Sequence, residues 1–365
     1  MQSIFIFIFG AALLIYSAEK LIGHLVGAAS GLNMSLFLLA VVFTGIEFDD
    51  VFLGVALNVE DLGEVALGVV FGTAISMSGI VLALAAIFAP SKVDLPRDYL
   101  TIFALSPFLM IPFILLAPLT AVHGVILLGL FAAFIGHVAV RERRGRTPVF
   151  RNAEMYENYP AVRRPAGEAR RDTKPDPKTY ASYSRRQPLR RRPSWQASGA
   201  VPFTDVRARS GWTGLGLAVL ALVGLVAGAA ITGIGIDGIL HDYGLEGTFF
   251  GATIATVVLT ADDIFLTVEP ARKGAAEIGV GNVIGSVVFS ITAKLGLVLL
   301  AGGLVIGPDV LTWQLPALVV MTGCAAYFLS TGRLRRWHGF VLLGLYAIYW
   351  IVSFVAFGFV PADTS

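Results

Sequence analysis

Residues 43–55 read FTGIEFDDVFLGV, with Glu47, Asp49 and Asp50 inside an otherwise apolar run, and residues 258–268, VLTADDIFLTV, repeat the couple as Asp262 and Asp263. The offset between Asp49 and Asp262 is 213 residues. At that spacing, without a gap, Asp50 matches Asp263, Leu53 matches Leu266, Val55 matches Val268, Glu64 matches Glu277, Gly68 matches Gly281, Val70 matches Val283 and Gly72 matches Gly285, with Thr73 opposite Ser286. A match this extended identifies an internal duplication.

Composition sets the solvent in which the repeat works. Of 365 residues 56% are hydrophobic and 14% charged, and the mean hydropathy is +0.77, too few charges for a water-soluble globule of this size. A bilayer-spanning helix needs about 20 predominantly apolar residues. The long apolar runs lack the period-two alternation of an outer-membrane barrel, so the expectation is an all-α integral membrane protein. Apolar windows place about ten transmembrane helices, near 3–28, 35–58, 63–89, 99–118, 121–140, 211–236, 247–270, 276–306, 310–331 and 337–359. The N-terminus has no basic region and no small-residue cleavage pattern, so it reads as a retained first span. The single cysteine, Cys324, excludes an intrachain disulfide and suggests no thiolate chemistry.

Residues 141–210 separate the spans five and five. They hold 18 of the 27 Lys and Arg residues against 7 of the 25 acids, several prolines and no apolar periodicity. The chain therefore divides into a first five-helix membrane repeat (1–140), a basic linker expected to be disordered (141–210) and a second five-helix repeat (211–365). Because each unit has an odd number of spans, the second inserts upside down relative to the first, the inverted-repeat plan of many secondary transporters.

Orientation follows from the short loops. With the linker cytoplasmic, Lys92, Arg97, Arg272, Lys273, Arg333, Arg335 and Arg336 fall on the cytoplasmic side. The opposite loops, around Glu60–Glu64, His241–Glu246 and Gly307–Asp309, lack Lys and Arg, and both termini lie outside. The expected location is the cell membrane, multi-pass. The partners are membrane lipids, with anionic headgroups an option for the linker, and no nucleic acid.

A carboxylate near the bilayer centre costs at least about 2.5–3.5 kcal/mol on insertion scales, so an intramembrane acid points to function. Glu47, Asp49, Asp50, Asp262 and Asp263 are five such acids. Glu47 and Asp50, three apart, share a helix face, whereas Asp49 and Asp50 point about 100° apart. Oxygen ligands without His or Cys nearby favour hard cations. If the halves meet, Asp50 and Asp263 approach and share a cation or protons. Supporting oxygens come from Thr44, Thr73, Thr256, Thr260, Asn282, Ser286 and Ser290, each of which has the alternative of bonding its own helix or a neighbouring one. Gly68, Gly72, Gly281 and Gly285 sit four apart in pairs, a spacing for close helix packing. Lys294 breaks the symmetry, since its partner at the same offset is Val81. It is expected either to pair with an acid, from the Asp262/Asp263 region, as an internal substitute for a bound cation, or to snorkel.

The acid-bearing second span, the short loop and the Gly-rich third span resemble the alpha-repeats of the cation/calcium exchanger superfamily. The likeness is closest at KGAAEIGVGNVIGSVVFSITAKLGL (273–297), and the first span, AALLIYSAEKLIGHLVGAASGLNMS, shares it. That family carries G-T-S-x-P-E in its second and seventh spans. The resemblance puts Asp50 and Asp263 at the position of the glutamate shared by calcium and sodium. Asp49 and Asp262 replace the Pro, Glu47 takes a Ser position, Ile46 and Leu259 replace Thr, and Ala74 and Val287 stand where the family has Asn or Asp, so several sodium-ligand positions carry no oxygen.

The resemblance implies a membrane transporter, not an enzyme: a secondary active antiporter exchanging Ca2+ for Na+ or H+ by alternating access at a midplane carboxylate site. It needs no cofactor, its transported ions being Ca2+, Na+ or H+. The cation-binding candidates are Asp50, Asp263, Glu47, Asp49, Asp262, Thr260, Ser286, Thr73 and Asn282, with Asp50 and Asp263 as the metal ligands and Lys294 as the internal cation. Antiport of Mg2+ or Na+/H+, a non-transporting role, and an intramembrane aspartyl protease are the alternatives. The protease signatures YD and GxGD are absent.

Overall fold

The computed structural model describes residues 2–29, 47–93, 95–116, 118–144, 212–272 and 276–358. Its elements are almost entirely helical, as lipid requires of a backbone with no water to bond. The first half comprises α1 (Gln2–Ala29), α2 (Phe48–Val59), α3 (Gly63–Phe88, with a π-helical turn at Met77–Val81), α4 (Arg97–Leu115) and α5 (Ala121–Arg144). The second comprises α6 (Trp212–Tyr243), α7 (Gly247–Leu259), α8 (Ala261–Arg272), α9 (Ala276–Phe289, a π-helical turn Ser290–Lys294, then Leu295–Ala301), α10 (Val310–Ser330) and α11 (Arg336–Phe357). Among the described residues, seven helices are long and apolar enough to cross a membrane, and eight if the bent pair α7–α8 counts as one span. The protein is a multi-pass membrane protein.

The duplication is written into the element boundaries. Phe48–Val59 and Ala261–Arg272, Gly63–Ser76 and Ala276–Phe289, the π turns Met77–Val81 and Ser290–Lys294, and Leu82–Phe88 and Leu295–Ala301 all start and stop 213 residues apart. Extra residues in a π turn locally displace the side chains that follow, and such turns concentrate at functional sites.

Small residues set how closely the helices approach. Along α1 and α6, Gly10 meets Thr232, Leu14 meets Gly228, Ser17 meets Gly224 and Phe7 meets Gly235, an antiparallel pairing in which a Cβ at Gly235 would stand 2.4 Å from the backbone nitrogen of Phe7. The expected packing role of Gly68 and Gly72 holds. A Cβ there would fall 2.4 Å from the Thr248 carbonyl oxygen and 2.6 Å from Ala252 Cα, so α3 lies backbone to backbone on α7. On the other flank α2 lies beside the end of α9, where Asn58 Nδ2 donates to the carbonyls of Val298 (2.9 Å) and Gly302 (3.0 Å).

Two short pairings tie the loops at opposite ends. Strands β1 (Ser91–Lys92) and β2 (Arg333–Leu334) pair antiparallel, bringing Lys92 opposite Arg333. Leu119 bridges Leu304 elsewhere. Glu246 caps α7 with its side-chain carboxylate, which accepts from the backbone N–H groups of Thr248 (2.8 Å) and Phe249, and Asp309 lies close enough to Glu246 to feel its charge.

Two expectations change. The seventh span is not one straight helix: it breaks at Thr260 (φ −82°, ψ 7°), with a 49° bend between Gly247–Leu259 and Asp263–Glu269. The fifth helix runs on to Arg144, past the boundary at 140, because Arg and Glu are good helix formers and nothing breaks the helix there. Residues 30–46, including Thr44, and the linker beyond Arg144 lie outside the described residues.

Candidate functional site

Both acid couples occupy helix beginnings. Glu47 is the N-cap residue of α2 (φ −80°, ψ 86°), its carbonyl accepting from Val51 N, with Asp49 and Asp50 in the first turn. Asp262 and Asp263 hold the equivalent places after the break at Thr260. The unpaired N–H groups and positive dipole end of a helix favour negative charge, which is why carboxylates tolerate this depth. Glu47 (6% exposed), Asp49 (7%), Asp50 (3%) and Asp263 (5%) are buried, and Lys294 is wholly so (0%).

Lys294, at the end of the α9 π turn, reaches across to the first half. Its Nζ donates to Glu47 Oε2 at 2.6 Å and Asp50 Oδ2 at 2.5 Å. The expected pairing with Asp262 or Asp263 is therefore corrected. The π turn aims the lysine at α2, one of the helices packed against that turn, while Asp263 takes its hydrogen bond from Asn282 Nδ2 at 3.1 Å. Thr73 Oγ1 donates to Asp50 Oδ2 at 2.7 Å, and Ser290 Oγ to Glu47 Oε2 at 3.4 Å. The helical-face argument for Glu47 and Asp50 holds in its result, since both meet one ammonium.

The remaining candidates divide. Thr260 Oγ1 shares a 2.9 Å hydrogen bond with Ser76 Oγ, holding the α7–α8 break against α3, and also bonds the Thr256 carbonyl. Thr256 donates to its own helix at Gly251 O (2.6 Å), so it braces the backbone. Ser286, one turn after Asn282 on α9, faces Glu47. Its Oγ approaches the Glu47 carboxylate without making a hydrogen bond of normal geometry, and Glu47 Oε1 and Asn282 Oδ1 are likewise buried oxygens that lack one. Orphaned buried acceptors are rare and call for an explanation such as an ion. Among the described residues no three His, Cys, Asp and Glu side chains are arranged to hold a metal. The oxygens gathered here are instead carboxylate together with amide and hydroxyl, a donor set suited to hard ions. Asp50 and Asp263 have different donors. Asp49 is buried on its own side of α2, and the side chain of Asp262 lies outside the described ones.

Sequence reasoning missed Ser76 and Thr267. Thr267 Oγ1 stands 3.4 Å from Asn282 Nδ2. Their signal was spacing: Thr267 is one turn from Asp263 and Ser76 three residues from Thr73, so each shares a face with a named candidate.

The family model described as sodium/calcium exchanger protein matches residues 2–140 and 213–355. The sodium/calcium exchanger MaX1 of Methanosarcina acetivorans is 33% identical over 112 residues, 30% of this chain and 32% of that protein. The inner membrane protein YrbG of Escherichia coli is 26% identical over 113 residues, 31% of this chain and 34% of its own. The aligned stretch thus spans about a third of the curated relatives' length. A solved structure of the sodium-calcium exchanger NCX_Mj, soaked with Na+ and Sr2+, superposes with a TM-score of 0.57 at 20% identity, covering 95% of this chain and 96% of the other. At that identity the likeness is one of fold.

Proposed function

The chain belongs to the sodium/calcium exchanger protein family, a family of transporters rather than enzymes, and from that premise we propose that it is a secondary active cation antiporter. Its substrate is Ca2+ exchanged for Na+ or H+, bound between the halves by Asp50, Asp263 and Glu47 with Asn282, Ser286, Thr73 and Thr260, and with Asp49 and Asp262 as flanking acids. The carrying observation is a trio of buried oxygens, Glu47 Oε1, Asn282 Oδ1 and Ser286 Oγ, that lack a hydrogen bond of normal geometry and are contributed by both halves where two acid-bearing helix starts are buried. Exchange follows from charge. An acid-lined site is comfortable in the bilayer only when neutralised, so each passage between inward and outward access carries a cation.

The architecture proposed for this cycle is ten spans in two inverted five-helix repeats, with 1–140 and 211–365 joined by a cytoplasmic linker and both termini outside. Its support is the 213-residue identity of element boundaries, the parallel neighbours α2 with α9 and α3 with α7, and the joining of Lys92 to Arg333 at one end. Anionic lipid is the proposed partner of the linker. Antiport of Na+ for H+ is the second reading, favoured by Lys294, which lowers the negative charge open to a divalent ion, Ca2+ and Mg2+ alike. Asp50 and Asp263 each have a donor of their own, an arrangement unlike two aspartates sharing one proton for proteolysis.

The test is uptake of radiolabelled Ca2+ into proteoliposomes under an imposed Na+ gradient and, separately, an H+ gradient. Uptake driven by either gradient and lost in both Asp50→Asn and Asp263→Asn is the expected result. Uptake under neither gradient sinks calcium exchange, and flux that survives both substitutions sinks the carboxylate site.

A further inference from the structure

Lys294 carries more than an ion pair. Buried lysine is exceptional unless its charge is met, and this one is met by two carboxylates from the opposite half of the molecule, at 2.6 and 2.5 Å. An ammonium is a compact point charge, and here it stands where a small cation bridging Glu47 Oε2 and Asp50 Oδ2 would stand. The repeat supplies an internal comparison. At the matching last residue of the first π turn the chain has Val81, also fully buried, so the fold does not require a cation at this position. The first-half acids do.

We propose that Lys294 is a tethered cation: its ammonium permanently fills one cation position of the site and so determines which ions the remainder accepts. This deepens the antiport reading and rests on it. With Lys294 in place Glu47 and Asp50 together contribute one net negative charge, not two. The oxygens left for an incoming ion are Glu47 Oε1, Asn282 Oδ1 and Ser286 Oγ, near Asp263. Lys294 is thus a specificity-determining residue, which lowers by one the positive charge the protein takes up per cycle. Because the lysine belongs to one half and the acids to the other, the same contact also ties the halves together.

The experiment exchanges the tether for free ions. Full-length wild type and Lys294→Met are purified in detergent, and thermal unfolding is followed at fixed pH and ionic strength while choline is replaced by methylammonium, Na+ or, separately, Ca2+. The expected result is a Lys294→Met Tm that climbs by roughly 5 °C more than that of wild type over a hundredfold rise in at least one of these cations, as binding to the folded state alone requires. Adding Asp50→Asn to Lys294→Met, which restores the net charge of one, is expected to remove that extra climb. A Lys294→Met Tm that follows wild type for every cation overturns the proposal, as does a variant that no cation allows to be recovered folded while the double variant is. These readouts need no transport. If flux survives in Asp50→Asn and Asp263→Asn, the antiport reading fails while the binding result stands.

Discussion

Thr73 and Ser286 occupy one position of the repeat, and their substitutions should behave oppositely. Thr73 is fully buried and its Oγ1 donates to Asp50 Oδ2 at 2.7 Å. Thr73→Val keeps the shape and removes that donor. A hydrogen bond to a charged group is worth about 1.5–3 kcal/mol, and with its loss the Asp50 oxygen keeps only Lys294, so Thr73→Val should destabilise by roughly that amount. Ser286 is as deeply buried, but its Oγ makes no hydrogen bond of normal geometry, only an approach to the Glu47 carboxylate. Ser286→Ala removes a poorly bonded polar atom and should leave stability within about 0.5 kcal/mol of wild type or raise it, while weakening cation affinity if the hydroxyl is an ion ligand. The assay is reversible unfolding in mixed detergent micelles, with Thr73→Val and Asp50→Asn combined in a double-mutant cycle. A coupling of about 0.5–3 kcal/mol is expected. A Thr73→Val cost below about 0.5 kcal/mol, or one no larger than that of Ser286→Ala, would refute the reasoning.

Gly72→Ala places a Cβ 2.4 Å from Thr256 Oγ1 and 2.6 Å from Ala252 Cα; with backbone on the far side it should cost about 1–3 kcal/mol by overpacking, read as a lower Tm. Gly129→Ala, where nothing lies within 4 Å of the added methyl, is its control. Burial, and then the nearby Glu246 carboxylate, raise the Asp309 carboxyl above its ordinary value of 3.8. A carboxyl whose folded pKa lies above its unfolded one takes up a proton on folding, so its ionisation weakens the folded state as pH rises through and above 3.8, and the penalty vanishes below it. Asp309→Asn should therefore raise the Tm at pH 7, leave it unchanged near pH 3, and flatten the stability profile between them; an unchanged profile counts against it.

Much of the fold was legible because its signals are local. Apolar length, the Pro after Ala89 and the Gly spacing in α3 indicate where helices run and stop, and the 213-residue match reappears in the observed element boundaries of the second half. The breaks were harder. Thr260 interrupts α7–α8 without a Gly or Pro to announce it, since the turn is held by the Thr260–Ser76 hydrogen bond from another helix. The candidate acids were visible as charges in apolar surroundings, and Asn282, Thr73 and Lys294 as polar groups inside the apolar spans that follow them. The π turns left no trace in the pattern, and they decide where Lys294 points.

Sequence alone determined that this is a duplicated, helical membrane protein with acid couples at matching places, because hydrophobicity and repetition are properties of the chain taken residue by residue. It also marked Lys294 as the odd residue out against Val81. Only the tertiary structure decided that Lys294 answers Glu47 and Asp50, 247 and 244 residues away, and not the aspartates of its own half. A repeat offers the lysine two nearly equivalent acid couples, and nothing in the linear order distinguishes them. What does is packing: the π turn that ends at Lys294 lies against α2, and a buried ammonium must take the carboxylates within its reach.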